Sequence, residues 1–192
     1  MKRGATKEEI IRTTQELIAR NGIRAVRVDE IAQRLGISKR TLYELFADKN
    51  ELVSACLDAM HRQQRQRILA FRRRRSGNVL IKALQLLNEY VDLLYVVERS
   101  FLADVNRKSA FADHVAEYRS FWHKELSAML ELCRTEGWLL SDVNAAIYAK
   151  RLIGALSELR FSGVSREELH LFCRVFLRGV ATQRGVEAID RF

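Results

Sequence analysis

Apolar residues recur every three or four positions along most of the chain, which is the spacing of amphipathic α-helices. The first such segment opens with Thr6-Lys7-Glu8-Glu9, a capping box, and closes at Asn21-Gly22. Two shorter helices are predicted over 29–35 and 38–46, and Asp48-Lys49-Asn50-Glu51 forms a second capping box that opens a fourth helix. Because no segment alternates like a strand and the chain has no proline, we predict an all-α fold.

Beyond the fourth helix the same periodicity continues to the C-terminus. It predicts helices over 78–97, 98–105 (a short piece that could continue the preceding helix), 110–136, 142–161 and 165–184, the last opened by the capping box Ser165-Arg166-Glu167-Glu168. A chain of 192 residues is long enough for one compact body with a small domain attached. We therefore expect a small domain over residues 1–48 and a larger helical domain over residues 49–192.

The second and third helices have the pattern of a helix-turn-helix. Ala32 is small where the helices would cross, Gly36 provides a tight turn, and Ser38 is a good N-cap. The outward face of the third helix is polar and has basic residues near the helix N-terminus, where backbone N–H groups attract phosphate and Lys or Arg can read guanine edges. These candidate DNA-binding residues are Ser38, Lys39, Arg40, Thr41 and Tyr43. Lys49 opposes the dipole of the fourth helix, a placement that a neighbouring phosphate would favour, so we predict a phosphate contact there too.

The net charge of +9 belongs to the N-terminal part of the chain. Residues 1–75 contain 18 Lys and Arg against 9 Asp and Glu, whereas residues 76–192 contain 15 of each. A basic module joined to a neutral body is typical of nucleic-acid binding, although charge alone also allows a solubilising surface or a membrane-facing patch. The arginine run 72–75 surrounds a helix end on all sides, so it favours a helix C-terminus more than a DNA-binding stripe.

Other classes of protein lack support in the sequence. We find no glycine-rich phosphate loop, metal-binding pair or nucleophile motif, so we expect no catalytic site, metal or cofactor. Cys56, Cys133 and Cys173 are sparse and odd in number, so we interpret them as core-filling residues, with redox sensing as the alternative. No apolar run approaches the roughly 20 residues of a membrane span, and no apolar signal core is present, so a cytoplasmic location is expected.

The string Ile31-Ala32, Gly36-Ile37-Ser38, Thr41-Leu42-Tyr43, Phe46 and Lys49-x-Glu51-Leu52 resembles the tetracycline-repressor (TetR) family over about residues 5–55. The resemblance implies a three-helix DNA-binding domain, joined through a fourth helix to a C-terminal ligand-binding and dimerisation domain. It also implies a homodimeric repressor that a small molecule releases from a palindromic operator in double-stranded DNA. An alternative is an architectural or adaptor DNA-binding protein that responds to no ligand. Arg27 stands where the family usually has a capping Thr or Ser, and arginine cannot cap, although it can reach a phosphate.

The helices predicted over 142–161 and 165–184 are apolar around most of their circumference, which indicates burial on more than one side. We predict that one side packs on the chain's own core and the other on a partner subunit, the alternative being two central helices of a monomer. The predicted interface residues are Ala149, Ile153, Leu156, Phe172, Phe176 and Val180. Aromatic residues on the middle helices could line an apolar ligand cavity or simply belong to the core; they are, with one acid, Tyr90, Tyr95, Glu98, Phe101, Tyr118, Phe121 and Trp122.

Overall fold

The computed structural model describes residues 5–73 and 77–192, which form α-helices, one short 3-10 turn (Ser109–Phe111) and an isolated antiparallel bridge. The helices in chain order are α1 (Lys7–Asn21), α2 (Val28–Leu35), α3 (Lys39–Leu45), α4 (Lys49–Arg72), α5 (Val79–Val96), α6 (Arg99–Arg107), α7 (Ala112–Thr135), α8 (Ala145–Phe161), α9 (Arg166–Gly179) and α10 (Gln183–Asp190). The all-α prediction is confirmed. Within the described residues, no helix is both long and apolar enough to cross a membrane.

Side chains fix where the first and fourth helices begin. The Thr6 hydroxyl accepts the Glu9 N–H at 3.2 Å and the Glu9 carboxylate accepts the Thr6 N–H at 2.7 Å, so the first predicted capping box is confirmed. At the start of α4, Asp48 accepts the Glu51 N–H at 2.8 Å, but the Glu51 carboxylate takes the N–H of Ala47 at 2.5 Å. In the second predicted box the Glu51 carboxylate therefore bonds the N–H of Ala47 instead of that of Asp48, and two backbone donors are still satisfied.

The chain divides into two compact units, each with its own core. The first unit comprises Met1–Phe71 and Val97–Glu117. Its apolar cluster joins residues of α1 to α4 with residues of α6 and the 3-10 turn, and includes Ile10, Leu17, Ile18, Ile31, Leu42, Phe46, Leu52, Val53, Phe101, Val105 and Phe111. The segment 97–117 therefore folds with the N-terminal helices, whereas the predicted boundary after residue 48 assigned it to the C-terminal domain.

The second unit comprises Arg72–Val96 and Tyr118–Phe192. Its centre is α5, which packs against α8, α9 and α10 and buries a nearly continuous apolar surface. At the exposed edge of this packing, the Asp92 carboxylate on α5 accepts bonds from Arg166 Nε and His170 Nε2, both on α9 and both at 2.7 Å. Burial alone would raise the pKa of Asp92, but the two hydrogen bonds and positive charges outweigh it and hold that pKa below its usual value.

The C-terminus departs most from the predicted helices. One helix was predicted over 165–184, but α9 ends earlier and a separate α10 follows. The chain leaves the helix because it pairs with an earlier segment: Leu140 donates its N–H to the Val180 carbonyl, and Thr182 donates its N–H to the Trp138 carbonyl, both at 3.0 Å. A Cβ on Gly185 would lie 2.4 Å from the Trp138 carbonyl oxygen, so this close approach requires glycine.

Three smaller differences concern helix ends. α8 begins after residue 144, later than the predicted 142, because the Asn144 side chain caps it by accepting the Ile147 N–H at 3.0 Å. The predicted segment 98–105 is an independent helix, α6, and the 3-10 turn precedes α7 in the predicted segment 110–136.

In the arginine run, Arg72 is the last residue of α4 and pairs with the buried Glu125 at 2.8 Å, which explains it as a structural cation. Residues 74 and 75 of that run lie outside the described residues.

Candidate DNA-binding surface

The turn between α2 and α3 sets the geometry of the predicted helix-turn-helix. Gly36 ends α2 with φ of 63°, a left-handed conformation that glycine adopts without steric cost. Ala32 and Leu42 are buried between the helices of the first unit. Ser38 caps α3 by accepting the Thr41 N–H at 3.0 Å, and the two hydroxyl groups lie 2.9 Å apart. Ser38 and Thr41 thus fix the start of the helix whose outward face carries the predicted DNA contacts.

The basic residues of this face are exposed and paired with carboxylates. Lys39 Nζ lies 2.9 Å from Asp29 Oδ1, which links α3 to α2. The hydrogen bond between them lowers the pKa of Asp29 and raises that of Lys39, and their mutual attraction adds to both shifts. Arg40, 89% exposed, pairs with Glu44 along α3 at 3.1 Å. Because such surface pairs contribute at most about 1 kcal/mol, a phosphate or a base edge can replace the carboxylate at small cost.

Two further predicted contacts flank this face. Tyr43 on α3 is 44% exposed. Arg27 is exposed at the N-cap of α2, and its side chain makes no capping hydrogen bond, so the expectation that arginine cannot cap is confirmed. The guanidinium of Arg27 carries its charge beside the backbone N–H groups that begin α2, and both features favour an anion.

Lys49 is half-buried, and its ammonium group donates to the backbone carbonyl of Val26 in the turn between α1 and α2. Burial lowers the pKa of Lys49, as does the nearby charge of Lys108, while Asp104 acts in the opposite direction. The bond to Val26 is a structural reason for a lysine in the first turn of α4, which the sequence did not reveal. An ammonium has three donors, so the group can hold this carbonyl and also bind a phosphate.

Sequence reasoning missed three charged residues near this surface, Arg24, Asp104 and Lys108, and the first two pair over a long distance in the chain. Arg24 donates its backbone N–H to Asp104 Oδ2 at 2.9 Å, and Arg24 Nε lies 3.2 Å from Asp104 Oδ1. Lys108, in the connection after α6, lies over the ring of Phe111 at 5.7 Å. Arg24 and Asp104 lie 80 positions apart in the chain, so local sequence patterns could not have predicted their contact.

Four of the seven residues predicted for a ligand pocket come together in the second unit. Trp122 is fully buried, and its ring centroid lies 4.9 Å from Tyr90, 5.9 Å from Phe121 and 6.3 Å from Tyr118. The Trp122 indole N–H is buried, and the Tyr118 hydroxyl beside it is its hydrogen-bond acceptor. The Tyr90 hydroxyl is satisfied by Ser157 Oγ at 2.8 Å. We call Tyr90, Tyr118, Phe121 and Trp122 the aromatic cluster.

The other three predicted pocket residues lie elsewhere. Tyr95 donates its hydroxyl to the Val164 carbonyl and stacks under the guanidinium of Arg160, 4.2 Å from the ring centroid. Glu98 precedes α6, and Phe101 is buried in the core of the first unit. These two belong to the same compact unit as the helix-turn-helix, so the structure gives them a structural role that aromatic spacing did not suggest.

The predicted interface residues also separate into two groups. Ala149, Ile153 and Leu156 are buried within the single chain, so this part of the prediction is corrected: they pack inward and leave almost no surface for a partner. Phe172 is partly exposed, and Phe176 and Val180 are half-buried. The large apolar residues that α8 and α9 leave exposed are Ile147, Tyr148, Phe161, Leu171, Phe172 and Val175, and Phe172 alone among them was a predicted interface residue. We call Ile147, Tyr148, Leu171, Phe172 and Val175 the apolar face.

The three cysteines are free and fully buried, so their interpretation as core-filling residues is confirmed. Burial raises the pKa of each thiol to about 12, which leaves little thiolate at neutral pH. Among the described residues, no group of three or more His, Cys, Asp or Glu side chains is placed to hold a metal ion.

Comparisons with known proteins agree with this geometry. Residues 10–56 match the family model described as bacterial regulatory proteins, tetR family. An uncharacterized HTH-type transcriptional regulator of Mycobacterium tuberculosis is 43% identical over 51 residues, which is 27% of this chain and 21% of the relative. The matched part of the chain thus spans about a fifth of the length of the curated relatives. The residues of the family model extend from α1 into the first part of α4.

Solved structures resemble the chain over nearly its whole length. A transcriptional regulator from Saccharomonospora viridis, in complex with choline, has a TM-score of 0.81 and 18% identity, covering 92% of this chain and 98% of that chain. A TetR-family regulator from Rhodococcus sp. has a TM-score of 0.68 and 20% identity, covering 92% and 98%. At these identities the likeness is one of fold. The sequence match shows a tetR-family DNA-binding domain over residues 10–56, and the whole chain has the fold of the regulators it resembles.

Proposed function

We propose that this protein is a sequence-specific DNA-binding repressor that acts as a homodimer on a palindromic operator and is released from it by a small molecule. The observation that carries the proposal is the N-terminal surface of α3. Its cap is satisfied by Ser38, its core side is buried through Leu42, and its outward side presents Lys39, Arg40 and Tyr43 to solvent. A short, rigid and basic helix of this kind suits the major groove of DNA.

The electrostatics support DNA as the partner. All of the net positive charge lies in residues 1–75, and α2, α3 and the start of α4 carry the basic groups described above. The carboxylates of Asp29 and Glu44, which pair with Lys39 and Arg40, are exposed and can be displaced by phosphates. Binding should therefore weaken steeply as salt is raised, because each neutralised phosphate releases counterions.

The dimer is proposed from the apolar face. Leu171 and Val175 lie one turn apart on α9, each 60% exposed, and Ile147 on α8 is 56% exposed. Several large apolar residues left exposed on two neighbouring helices favour an interaction site over a solvated surface. A twofold symmetric pairing would bury the same patch on both copies and hold two helix-turn-helix motifs at a fixed separation, as a palindrome requires.

The ligand is proposed to bind beside the aromatic cluster. Four aromatic rings lie together around the buried Trp122, and an aromatic lining is typical of sites for small, partly apolar ligands. The structural relative with TM-score 0.81 was solved with choline, and aromatic faces attract quaternary ammonium groups. We therefore propose a small, partly apolar ligand, and choline is the first compound to test.

The proposal is tested by selecting DNA sequences with the purified protein, then measuring affinity for the selected duplex across a salt series. Lys49→Ala should weaken binding to all sequences alike and reduce the slope of log affinity against log salt by about one, because one phosphate contact is lost. Lys124→Ala is the matched control, since Lys124 is an exposed lysine on α7 in the second unit. Thermal unfolding of Lys49→Ala separates this effect from loss of the Val26 bond.

Several outcomes would overturn parts of the proposal. An unchanged salt slope for Lys49→Ala would remove Lys49 from the DNA-binding residues. If selection recovers no preferred sequence and the protein coats any duplex, the protein is an architectural DNA-binding protein instead of a repressor. If a preferred palindrome is found but no ligand, choline included, changes its affinity, the ligand-release part fails while the DNA-binding part stands.

A further inference from the structure

The turn between α1 and α2 is held from outside the helix-turn-helix. Gly22 opens this turn with φ of 80°, and a Cβ added there would lie 3.0 Å from Ser100 Oγ and 3.1 Å from Asp104 Oδ2. Ser100 and Asp104 lie on α6. Glu98, which precedes α6, donates its backbone N–H to the Ala19 carbonyl at 2.8 Å. α6 therefore lies in direct contact with the end of α1 and with the turn that follows it.

Asp104 is the polar centre of this contact. It is only 7% exposed, and a buried carboxylate is unfavourable unless strong donors compensate it. Both donors come from Arg24 in the turn: the backbone N–H at 2.9 Å to Oδ2 and the guanidinium Nε at 3.2 Å to Oδ1. The backbone donor fixes the main chain of the turn itself, which a bond to a side chain alone would not do.

The turn needs this support because α2 lacks the usual means of fixing its start. A Ser, Thr, Asn or Asp at the N-cap contributes about 1 kcal/mol by bonding the first free N–H groups, but Arg27 occupies that position and makes no capping bond. The turn is instead tied by Asp104 at Arg24 and by the Lys49 ammonium at the Val26 carbonyl. Two residues from other helices thus set the position at which α2 begins.

The sign of the Asp104 charge also calls for a structural explanation. A carboxylate close to Lys49 opposes the approach of a phosphate, so charge alone would favour a neutral residue at this position. We propose that Asp104 is a positioning residue for DNA binding: it fixes the α1–α2 turn and thereby places Arg27 and the start of α2 against the DNA backbone. This proposal rests on the DNA-binding function proposed above.

The test compares Asp104→Ala and Asp104→Asn with wild-type protein on the selected duplex over a salt series. Asp113→Asn is the matched control, because Asp113 is an exposed acid of the same compact unit and its removal makes the same change in net charge. If Asp104 acts through position, Asp104→Ala should lower the affinity roughly tenfold, the size expected when a buried donor loses its partner. The slope of log affinity against log salt should become shallower by about one, because the Arg27 phosphate contact is lost. Removal of the carboxylate alone, which makes the net charge more positive by one, would not cause this loss.

Asp104→Asn keeps an acceptor for the Arg24 N–H and should therefore bind DNA more tightly than Asp104→Ala, while Asp113→Asn should equal or slightly exceed wild-type affinity. Amide hydrogen exchange at Arg24 should be faster in Asp104→Ala, and an unchanged thermal midpoint of Asp104→Asn guards against general unfolding. The proposal is overturned if both Asp104 variants bind as tightly as Asp113→Asn, since the carboxylate then acts only as a charge. It is also overturned if exchange at Arg24 does not change. Wild-type protein that binds no duplex is a different result, because it removes the proposed function itself.

Discussion

A charge placed in the apolar face should separate the two subunits of the proposed dimer without unfolding either one. Phe176, one of the predicted interface residues, is unsuitable because it is half-buried and its ring lies 5.9 Å from that of Tyr148. A charge there would disturb the chain's own packing. Val175, which precedes Phe176 on α9, is 60% exposed, so an aspartate at this position can stay solvated in a monomer. The substitution Val175→Asp therefore tests association with little effect on folding.

The magnitude follows from burial. Complete burial of a valine side chain contributes about 1.5–3 kcal/mol, and Val175 has roughly half of this still to gain, or about 1 kcal/mol per subunit. In a symmetric dimer the loss occurs twice, about 2 kcal/mol in total. Each new carboxylate must also lose water on association, which costs at least another 1 kcal/mol or so per subunit. A total near 4 kcal/mol raises the dimer dissociation constant roughly a thousandfold.

The assay is sedimentation or light scattering at micromolar protein, combined with operator affinity. Wild-type protein should have about twice the chain mass of 22.2 kDa, and Val175→Asp should have the mass of one chain and bind the palindrome much more weakly. Val96→Asp is the matched control, since Val96 is also an exposed valine at 66% and lies at the end of α5, outside the apolar face. A Val175→Asp protein that stays dimeric and binds its operator normally would refute the assignment of the interface to this face.

Two further substitutions address base reading and stability. Arg40→Ala should relax the base preference at one position of each half-site at a cost of about 1–3 kcal/mol, because Arg40 is exposed and its carboxylate partner is displaceable; if a binding selection shows equal loss for every sequence, Arg40 contacts phosphate instead. Asp92→Asn should destabilise the protein at pH 7 by less than about 1 kcal/mol, a small value because the carboxylate is about a third exposed. Since the pKa of Asp92 is lowered in the folded state, its contribution is present above about pH 4 and is lost as the pH falls through the folded pKa. The thermal midpoints of the two proteins should therefore converge as the pH is lowered through that range, and a difference that stays unchanged down to the acid limit of folding would contradict this origin.

The helix-turn-helix could be predicted in detail because its determinants are local. The Thr6–Glu9 capping box, the left-handed Gly36 and the Ser38 cap each act within four residues of one another, so the sequence itself displays them. The C-terminal helices were harder to predict from the sequence. The end of α9 depends on backbone hydrogen bonds between residues 138–140 and 180–182, and no local sequence pattern in either segment predicts those bonds.

The apolar helices α8 and α9 illustrate a second limit. A helix that is apolar around its circumference predicts burial on more than one side, but periodicity does not say which side meets the chain's own core. Ala149, Ile153 and Leu156 were assigned to a partner and instead pack inward, while Leu171 and Val175 remain exposed. Burial of one side against the chain's own core was therefore predictable, but its direction was not, because that direction depends on where α5 lies.

The same reasoning explains why the composition of the DNA-binding unit was missed. Charge and motifs concentrate in the first fifty residues, yet Phe101 and Val105 of α6 complete the apolar core there, and Asp104 between them bonds the turn before α2. Within the first unit, α6 contacts the α1–α2 turn through the Asp104 carboxylate and through the close approach of Ser100 and Asp104 to Gly22. A substitution in α6 is therefore expected to act on the turn that precedes α2, without any change within the helix-turn-helix sequence itself.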